Sequence, residues 1–271
     1  MKRNVFNTQT EENFGVGARI SFIVVSHRSE KYLKGCLASL FKNAGNFKKE
    51  TTIVNNSDDQ LDLPEDVRII NASENRGFGS ACNLGAKEST GDILCFLNPD
   101  TEILKNVRGV IDCFDTDNKI GIVGARLVDE KNIIQEWCAG KKVDLSDIIG
   151  NNLGFRRSRK IWESDALTEC AWISGACLFI RKGLFDKLNG FDKNFFLYFE
   201  DIDLCKRAGD LGYKIIYYPE FTVKHFGGKS FSSKKEQKKL YYEAQDYYFR
   251  KHFGKIRHNL LKLIRRLILI K

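Results

Sequence analysis

A chain of 271 residues with 42% hydrophobic content is long enough to bury one α/β core, and its formal charge of +9 is not spread evenly over it. Between 222 and 271 fourteen Lys or Arg face only Glu236, Glu243 and Asp246, so this tail carries +11 and the remainder −2. That argues against a general nucleic-acid surface and toward a localised anionic partner, with nucleic-acid binding by the basic tail as a rival reading.

The eight cysteines (Cys36, Cys82, Cys95, Cys113, Cys138, Cys170, Cys177 and Cys205) show no Cys-x-x-Cys spacing, and most lie in apolar runs. Reduced buried thiols behave this way, and a cytoplasmic location follows. The first 17 residues are polar, carry Glu11 and Glu12 and lack an apolar signal core, so they read as a loose lead-in. Strand patterns at 20–26, 51–55, 67–71 and 92–97 alternate with helical patterns at 30–41 and 80–89, the mark of a parallel doubly wound sheet. Gly77 and Gly79 mimic a dinucleotide fingerprint, but Cys82 stands where its third glycine belongs, which makes a nicotinamide site a weak reading.

After Asp92 the 92–97 strand is continuously apolar and stops abruptly in Asn98, Pro99 and Asp100. Ligands of open α/β sheets bind at the carboxyl ends of strands, so Asp100 is placed to meet a hard cation or a phosphate-bound metal; a plain turn is the alternative. A helix at 106–115 leads to a fifth strand at 120–125. From 129 to 168 the periodicity fades, which predicts a loop-rich insertion whose basic cluster at 155–160 is either a lid over diphosphate or a solvated loop. A strand at 171–181 begins with Ser174, Gly175 and Ala176, where small residues let substrate approach the backbone.

After the turn at Gly190, Phe191 and Asp192 comes an aromatic run, and then Glu200, Asp201 and Asp203. Apolar surroundings and mutual crowding raise carboxylate pKa values, which suits a general base for an alcohol nucleophile; acids in a helix first turn are the bland alternative. The following helix presents Leu204, Ala208 and Leu211 on one face and stops at Gly212. A strand at 214–218 and a loop carrying His225, Gly227 and Gly228 return to the same edge, where an imidazole suits a metal or diphosphate contact. His27 borders the nucleotide, while His252 and His258 belong to the tail. At 255–271, Ile256, Leu260, Leu263, Ile264, Leu267 and Ile270 share a helical face opposite Lys255, Lys262, Arg265 and Arg266. This is the makeup of an interfacial helix on anionic lipid, with packing on its own domain or in a homodimer as the alternative. Its apolar run at 267–270 is far below the roughly 20 residues that span a bilayer.

Several blocks in fixed order carry a resemblance: SFIVVSHR at 21–28, NNS at 55–57, NRGFGSACN at 75–83, FLNPDT at 96–101, SGA at 174–176, NGFD at 189–192, FFLYFEDIDLCKR at 195–207, and His225 with Gly228 and Ser230. The chain resembles the inverting family 2 glycosyltransferases, particularly their rhamnosyltransferase-like bacterial branch. The resemblance implies a GT-A fold, a mostly parallel α/β sheet flanked by helices in a single domain with a C-terminal amphipathic helical appendage. It divides the chain into a lead-in (1–18), a catalytic domain (19–230, with a nucleotide-sugar half to 128 and an acceptor half from 129) and a basic membrane-association segment (231–271). It further implies a divalent cation, Mg or Mn, on Asp100 and His225; a donor site from Ser26, Arg28, Asn56, Arg76, Gly77, Asn83 and Asn98; Asp201 as base; and acceptor contacts from Gly175, Glu200 and Asp203. Asp100 and Asp201 then converge on one breaking bond.

The donor implied is a nucleotide sugar, dTDP-rhamnose by family likeness, and the acceptor a lipid-linked oligosaccharide or polysaccharide at the inner face of the cell membrane. A non-catalytic nucleotide-sugar-binding component of a polysaccharide assembly complex is the alternative. Two departures stand out. Val54 occupies the position where relatives carry an Asp that contacts a pyrimidine base, and Asp100 is a single carboxylate where other GT-A enzymes have two.

Overall fold

The computed structural model describes residues 17–227 and 233–269. The lead-in up to residue 16, Gly228, Ser230 and Ile270 lie outside the described residues. The strands are β1 (Arg19–Ser26), β2 (Lys48–Asn55), β3 (Val67–Asn71), β4 (Ile93–Leu97), β5 (Thr101–Ile103), β6 (Ile120–Val128), β7 (Ala139–Gly140), β8 (Thr168–Cys170), β9 (Trp172–Ile173), β10 (Cys177–Arg181) and β11 (Lys214–His225). The helices are α1 (Glu30–Asn43), α2 (Phe78–Lys87), α3 (Arg108–Thr116), α4 (Leu145–Asn152), α5 (Arg159–Trp162), α6 (Lys182–Lys187), α7 (Glu200–Asp210) and α8 (Lys234–Leu269).

Among the described residues one sheet runs in the order β3-β2-β1-β4-β10-β6-β11-β5, with β8 also paired to β11. β1, β2, β3 and β4 pair in parallel, as do β6 and β11, whereas β10 is antiparallel to both of its neighbours. Strands covered on both faces have no polar side to present, so β4 is buried at every residue and β1 at all but its first. Helix α1 buries Leu33, Cys36, Leu37 and Leu40, the spacing of one helical face. Helix α2 comes so close to the sheet that a Cβ on Gly85 would stand 2.5 Å from the Ile23 side chain.

Three expectations are revised. The strand expected at 171–181 is broken by the turn at Ser174–Ala176 into β9 and β10, because residues 174–176 leave the ladder to reach α7. The insertion is not merely loops: α4 forms there, its N-terminus closed by the Asp144 carboxylate accepting from the Asp147 N–H at 3.0 Å. His225 ends a long strand rather than riding a loop. Antiparallel pairing of β11 with β5 sets His225 opposite Thr101, which delivers it beside Asp100.

Helix α8 is interrupted at Gly254, whose φ of +78° suits glycine alone without strain. Its first part buries Ala244, Tyr248 and Phe249 against the domain. In its second part Leu261 is buried, Ile264 lines an internal cavity and Arg265 turns inward to Gln245 and Asp246, which corrects the expected facing of both residues. Ile256, Leu260, Leu263 and Leu267 stay exposed. No described helix is long and apolar enough to cross a membrane.

Asp203 ties α8 to α7. It is fully buried, and its carboxylate accepts from Arg207 Nε at 2.7 Å, Lys251 Nζ at 2.6 Å and His252 Nε2 at 2.7 Å. Burial pushes its pKa up, but the His252 hydrogen bond, the Arg207 charge and Lys251 outweigh burial and hold it below the ordinary carboxylate value. Its contribution to stability is complete above that ordinary value of about 4 and is lost as pH falls through the lowered native one. Asp203→Ala removes the acceptor that Arg207, Lys251 and His252 share, although Lys251 keeps Asp192 and Arg207 keeps two backbone carbonyls, and is expected to cost roughly 3 kcal/mol in urea unfolding at neutral pH. The difference from the native chain should shrink in acid.

Candidate active site

The carboxyl ends of β1, β2 and β4 open onto a cavity of about 780 Å³ whose wall includes His27, Arg28, Asn56, Gly77, Asn98, Asp100 and His225. Asp100 is 8% exposed, and its Oδ1 lies 3.5 Å from His225 Nε2. His225 Nδ1 sits 2.9 Å from the Gln135 side-chain oxygen Oε1, and Gln135 Nε2 donates to the His225 backbone carbonyl at 2.6 Å. With Nδ1 as donor to Gln135, the Nε2 lone pair faces Asp100 and the Asn98 amide, 3.4 Å away. One carboxylate oxygen and one imidazole nitrogen fit a divalent cation as a partial shell, of the kind completed by phosphate oxygens and water. Among the described residues no three His, Cys, Asp or Glu cluster to hold an ion by themselves.

Gly77 enters α2 with a φ of +92°, and a Cβ there would stand 2.0 Å from the Phe196 carbonyl oxygen. The Phe78 N–H donates to that same oxygen at 3.0 Å, so the 75–79 and 195–198 segments are locked backbone to backbone. Three residues expected at the donor are elsewhere. Ser26 is buried with its hydroxyl 3.0 Å from Ser29 Oγ. The exposed Arg76 pairs with Glu74. Asn83 clamps Phe191, donating to its carbonyl and accepting from its N–H, both at 2.9 Å, and so braces the 190–192 turn.

Behind this cavity lies a second one of about 570 Å³, walled by Trp137, Trp172, Tyr198, Tyr241 and Tyr242 with Glu200 and Asp201. Tyr198 and Phe199 both have positive φ, 71° and 64°, and this left-handed pair turns the chain sharply into α7. Such a conformation costs roughly 1–2 kcal/mol per non-glycine residue and persists only where the surroundings enforce it. The turn sets Asp201 in the first turn of α7, where it accepts from the Gly175 N–H and the Ile202 N–H, each at 2.8 Å. Burial raises the Asp201 pKa, and these N–H groups oppose the rise. Glu200, 5% exposed, is pushed well above the ordinary carboxylate value by burial first and by the Asp201 charge second. Glu200 is thus the more strongly raised of the two, and Asp201 sits where the helix N-terminus favours an anion.

Asp100 and Asp201 thus occupy adjoining cavities rather than one cleft, and Tyr198 lines both. Its hydroxyl accepts from Gln237 Nε2 at 2.9 Å. Phe78, also on the donor wall, would lie 3.3 Å from a Cβ on Gly175, so only a thin partition separates the two chambers. Gly175 holds Asp201 through its N–H instead of lining the cavity, and Asp203 reaches neither cavity because α8 claims it. In the basic cluster, Arg156 pairs with Glu136 and Arg157 donates to Ser146, and no residue of 155–160 lines either cavity. Gln135, Tyr198 and the start of α8 (Glu236, Gln237, Leu240) are wall or orienting residues that the sequence reading passed over.

The sequence model of Glycosyl transferase family 2 matches residues 21–188, and that of Glycosyl transferase family group 2 matches residues 125–269. The chain is 28% identical over 236 residues to Rhamnosyltransferase WbbL of Escherichia coli (strain K12), a match covering 79% of this chain and 87% of that protein. Over 54 residues it is 43% identical to the N-acetylglucosaminyl-diphospho-decaprenol L-rhamnosyltransferase of Mycobacterium tuberculosis (strain CDC 1551 / Oshkosh), 20% of this chain and 18% of that one. Among solved structures, mannosyltransferase PcManGT from Pyrobaculum calidifontis in complex with GDP-Man and Mn2+ shares the fold, with a TM-score of 0.61 at 15% identity over 88% of this chain and 65% of its own.

Proposed function

Since this chain belongs to glycosyl transferase family 2 and has the GT-A fold, we propose that it is an inverting glycosyltransferase. It moves a sugar from a nucleotide-sugar donor to a hydroxyl of a lipid-linked oligosaccharide or polysaccharide. Rhamnose from dTDP-rhamnose is the donor favoured by the likeness to the two rhamnosyltransferases. The observation that carries the reading is Asp201: a buried carboxylate that accepts from two backbone N–H groups and lines a ligand-sized chamber one partition away from the Asp100 and His225 pair.

Asp201 accepts the proton of the attacking hydroxyl. The acceptor hydroxyl would reach past Tyr198, which lines both chambers, toward the anomeric carbon. On the donor side, the N-terminal end of α2 beside Gly77 presents a positive dipole to the diphosphate. Asp100 and His225 would hold a divalent cation that, when bound, offsets the charge of the departing diphosphate. Gln135 keeps the imidazole in the orientation this requires. Excess chelator is expected to lower donor consumption in the presence of acceptor by about ten-fold or more, restored by Mn or Mg. Undiminished turnover in chelator would remove the cation from the account.

The exposed stripe of Ile256, Leu260, Leu263 and Leu267, flanked by exposed Lys255, Lys262 and Arg266, supports peripheral attachment to an anionic membrane, near a lipid-linked acceptor. The protein should sediment with vesicles rich in anionic lipid, and Leu263→Glu should reduce this. Equal partition onto neutral vesicles would assign the basic flank no part.

A further inference from the structure

We propose that the chamber beside Asp201 recognises an uncharged sugar ring, read by Asp147 and Asn151 of α4 between fixed aromatic walls. This rests on the reading of Asp201 as the base for an acceptor hydroxyl, and names what that acceptor must present.

The residues of this wall are unusually short of partners. Asp147 is 5% exposed; its Oδ2 accepts from Asn151 Nδ2 at 3.0 Å, while its Oδ1 has no partner. The side-chain oxygen Oδ1 of Asn151, Glu200 Oε2 and Arg265 Nε are likewise buried and unmatched, so four of the six such atoms among the described residues belong to residues that line this one chamber. Buried polar groups ordinarily find partners, and a concentration of orphans along one cavity is what a missing polar ligand leaves behind. Three of the four are oxygens, suited to accept from hydroxyls.

The apolar part of the wall fits a ring as well. Trp172 is immobilised by its indole N–H donating to the Lys141 carbonyl at 3.0 Å and by Gly140, where a Cβ would stand 2.5 Å from the indole. Trp137 is tilted against Trp162 at 5.0 Å between ring centres. Such rigid faces take the C–H surface of a pyranose, leaving its rim of hydroxyls to the polar atoms. Charge narrows the class further. Asp147, Glu200 and Asp201 line the chamber, and Arg265, the only basic wall residue among the described ones, donates through Nη2 to Gln245 and Asp246 at 2.7 and 2.8 Å and is stacked on Tyr242. A uronic acid or a phosphorylated ring would meet three carboxyl groups against a single guanidinium whose charge Asp246 already offsets. None of this depends on the donor cavity, since α4 and the Trp residues do not line it.

The test titrates the full chain with hexyl glycosides of neutral hexopyranoses and with the matching hexyl glycuronides, reading tryptophan fluorescence, which reports Trp137 and Trp172 directly. At least one neutral glycoside should bind saturably, and its glycuronide about ten-fold more weakly or not at all. Asn151→Ala and Asp147→Asn should each weaken the neutral ligand by about ten-fold, with nucleotide binding and thermal unfolding kept near the native values as the folding check. No saturable binding by any neutral glycoside, equal binding of the glycuronides, or native affinity in both variants would overturn the assignment. Sugar transfer abolished by Asp201→Asn alongside native glycoside affinity in the α4 variants would sink this inference and spare the function. Glycoside binding in a chain that consumes no nucleotide sugar would do the reverse.

Discussion

Asp201→Asn is expected to lower sugar transfer by about 10²–10⁴-fold, the range that removal of a general base produces, while nucleotide-diphosphate affinity stays within about two-fold. An amide matches the carboxylate in size but cannot take the acceptor's proton, and it offers one oxygen where the native side chain uses two. Either the Gly175 or the Ile202 N–H then loses its acceptor, so a small loss of thermal stability should accompany the kinetic loss. The separation of effects is the informative part. Asp201 lies outside the donor cavity, so a parallel fall in nucleotide binding would mean that the substitution had disturbed the Tyr198 partition rather than the chemistry. Persistence of turnover near the native rate would dismiss Asp201 as base.

The second large effect is expected at Gly77→Ala. The new methyl would collide with the Phe196 carbonyl oxygen at 2.0 Å, and a φ of +92° is strained for any residue with a side chain. Relief requires the 195–198 segment to withdraw, taking with it the Phe78 to Phe196 hydrogen bond and the position of Tyr198. Nucleotide binding should weaken by about ten-fold or more, and unfolding free energy should fall by about 1–3 kcal/mol. Gly183→Ala is the control, because a Cβ there meets nothing within 4 Å. Indistinguishable behaviour of the two variants in thermal shift with nucleotide would show that the Gly77 contact is plastic and that the partition does not depend on it.

The centre of the sheet was legible because both-face burial writes itself as largely apolar runs: β1 and β4 lie where the pattern put them, within a residue, and β3, mostly exposed at the sheet's edge, does so too on its β-branched residues. Asp100 and Asp201 were legible because each interrupts such a pattern, one at a strand tip and one after an aromatic run. What escaped was partnership. Asp203 reads like its neighbour Asp201, but Lys251 and His252 arrive from α8 nearly fifty positions later and convert it into an anchor. Asn83 ends the 75–83 block on which the resemblance rests, yet its amide is spent on Phe191. The division into two chambers follows from left-handed backbone at Tyr198 and Phe199, positions without a glycine to announce it. Helix α4 was hidden by brevity and by the Gly and Asn around it, although Asp144 followed by Asp147 is a capping pattern that could have flagged it.

A structure of the protein with an unreactive nucleotide sugar and a bound acceptor tests the central claim most directly. The account requires the diphosphate beside Asp100 and His225 and the acceptor hydroxyl within about 2.6–3.2 Å of Asp201, on the opposite side of the anomeric carbon. An acceptor seated in the donor chamber, or a reacting hydroxyl nearest to some other side chain, would contradict it.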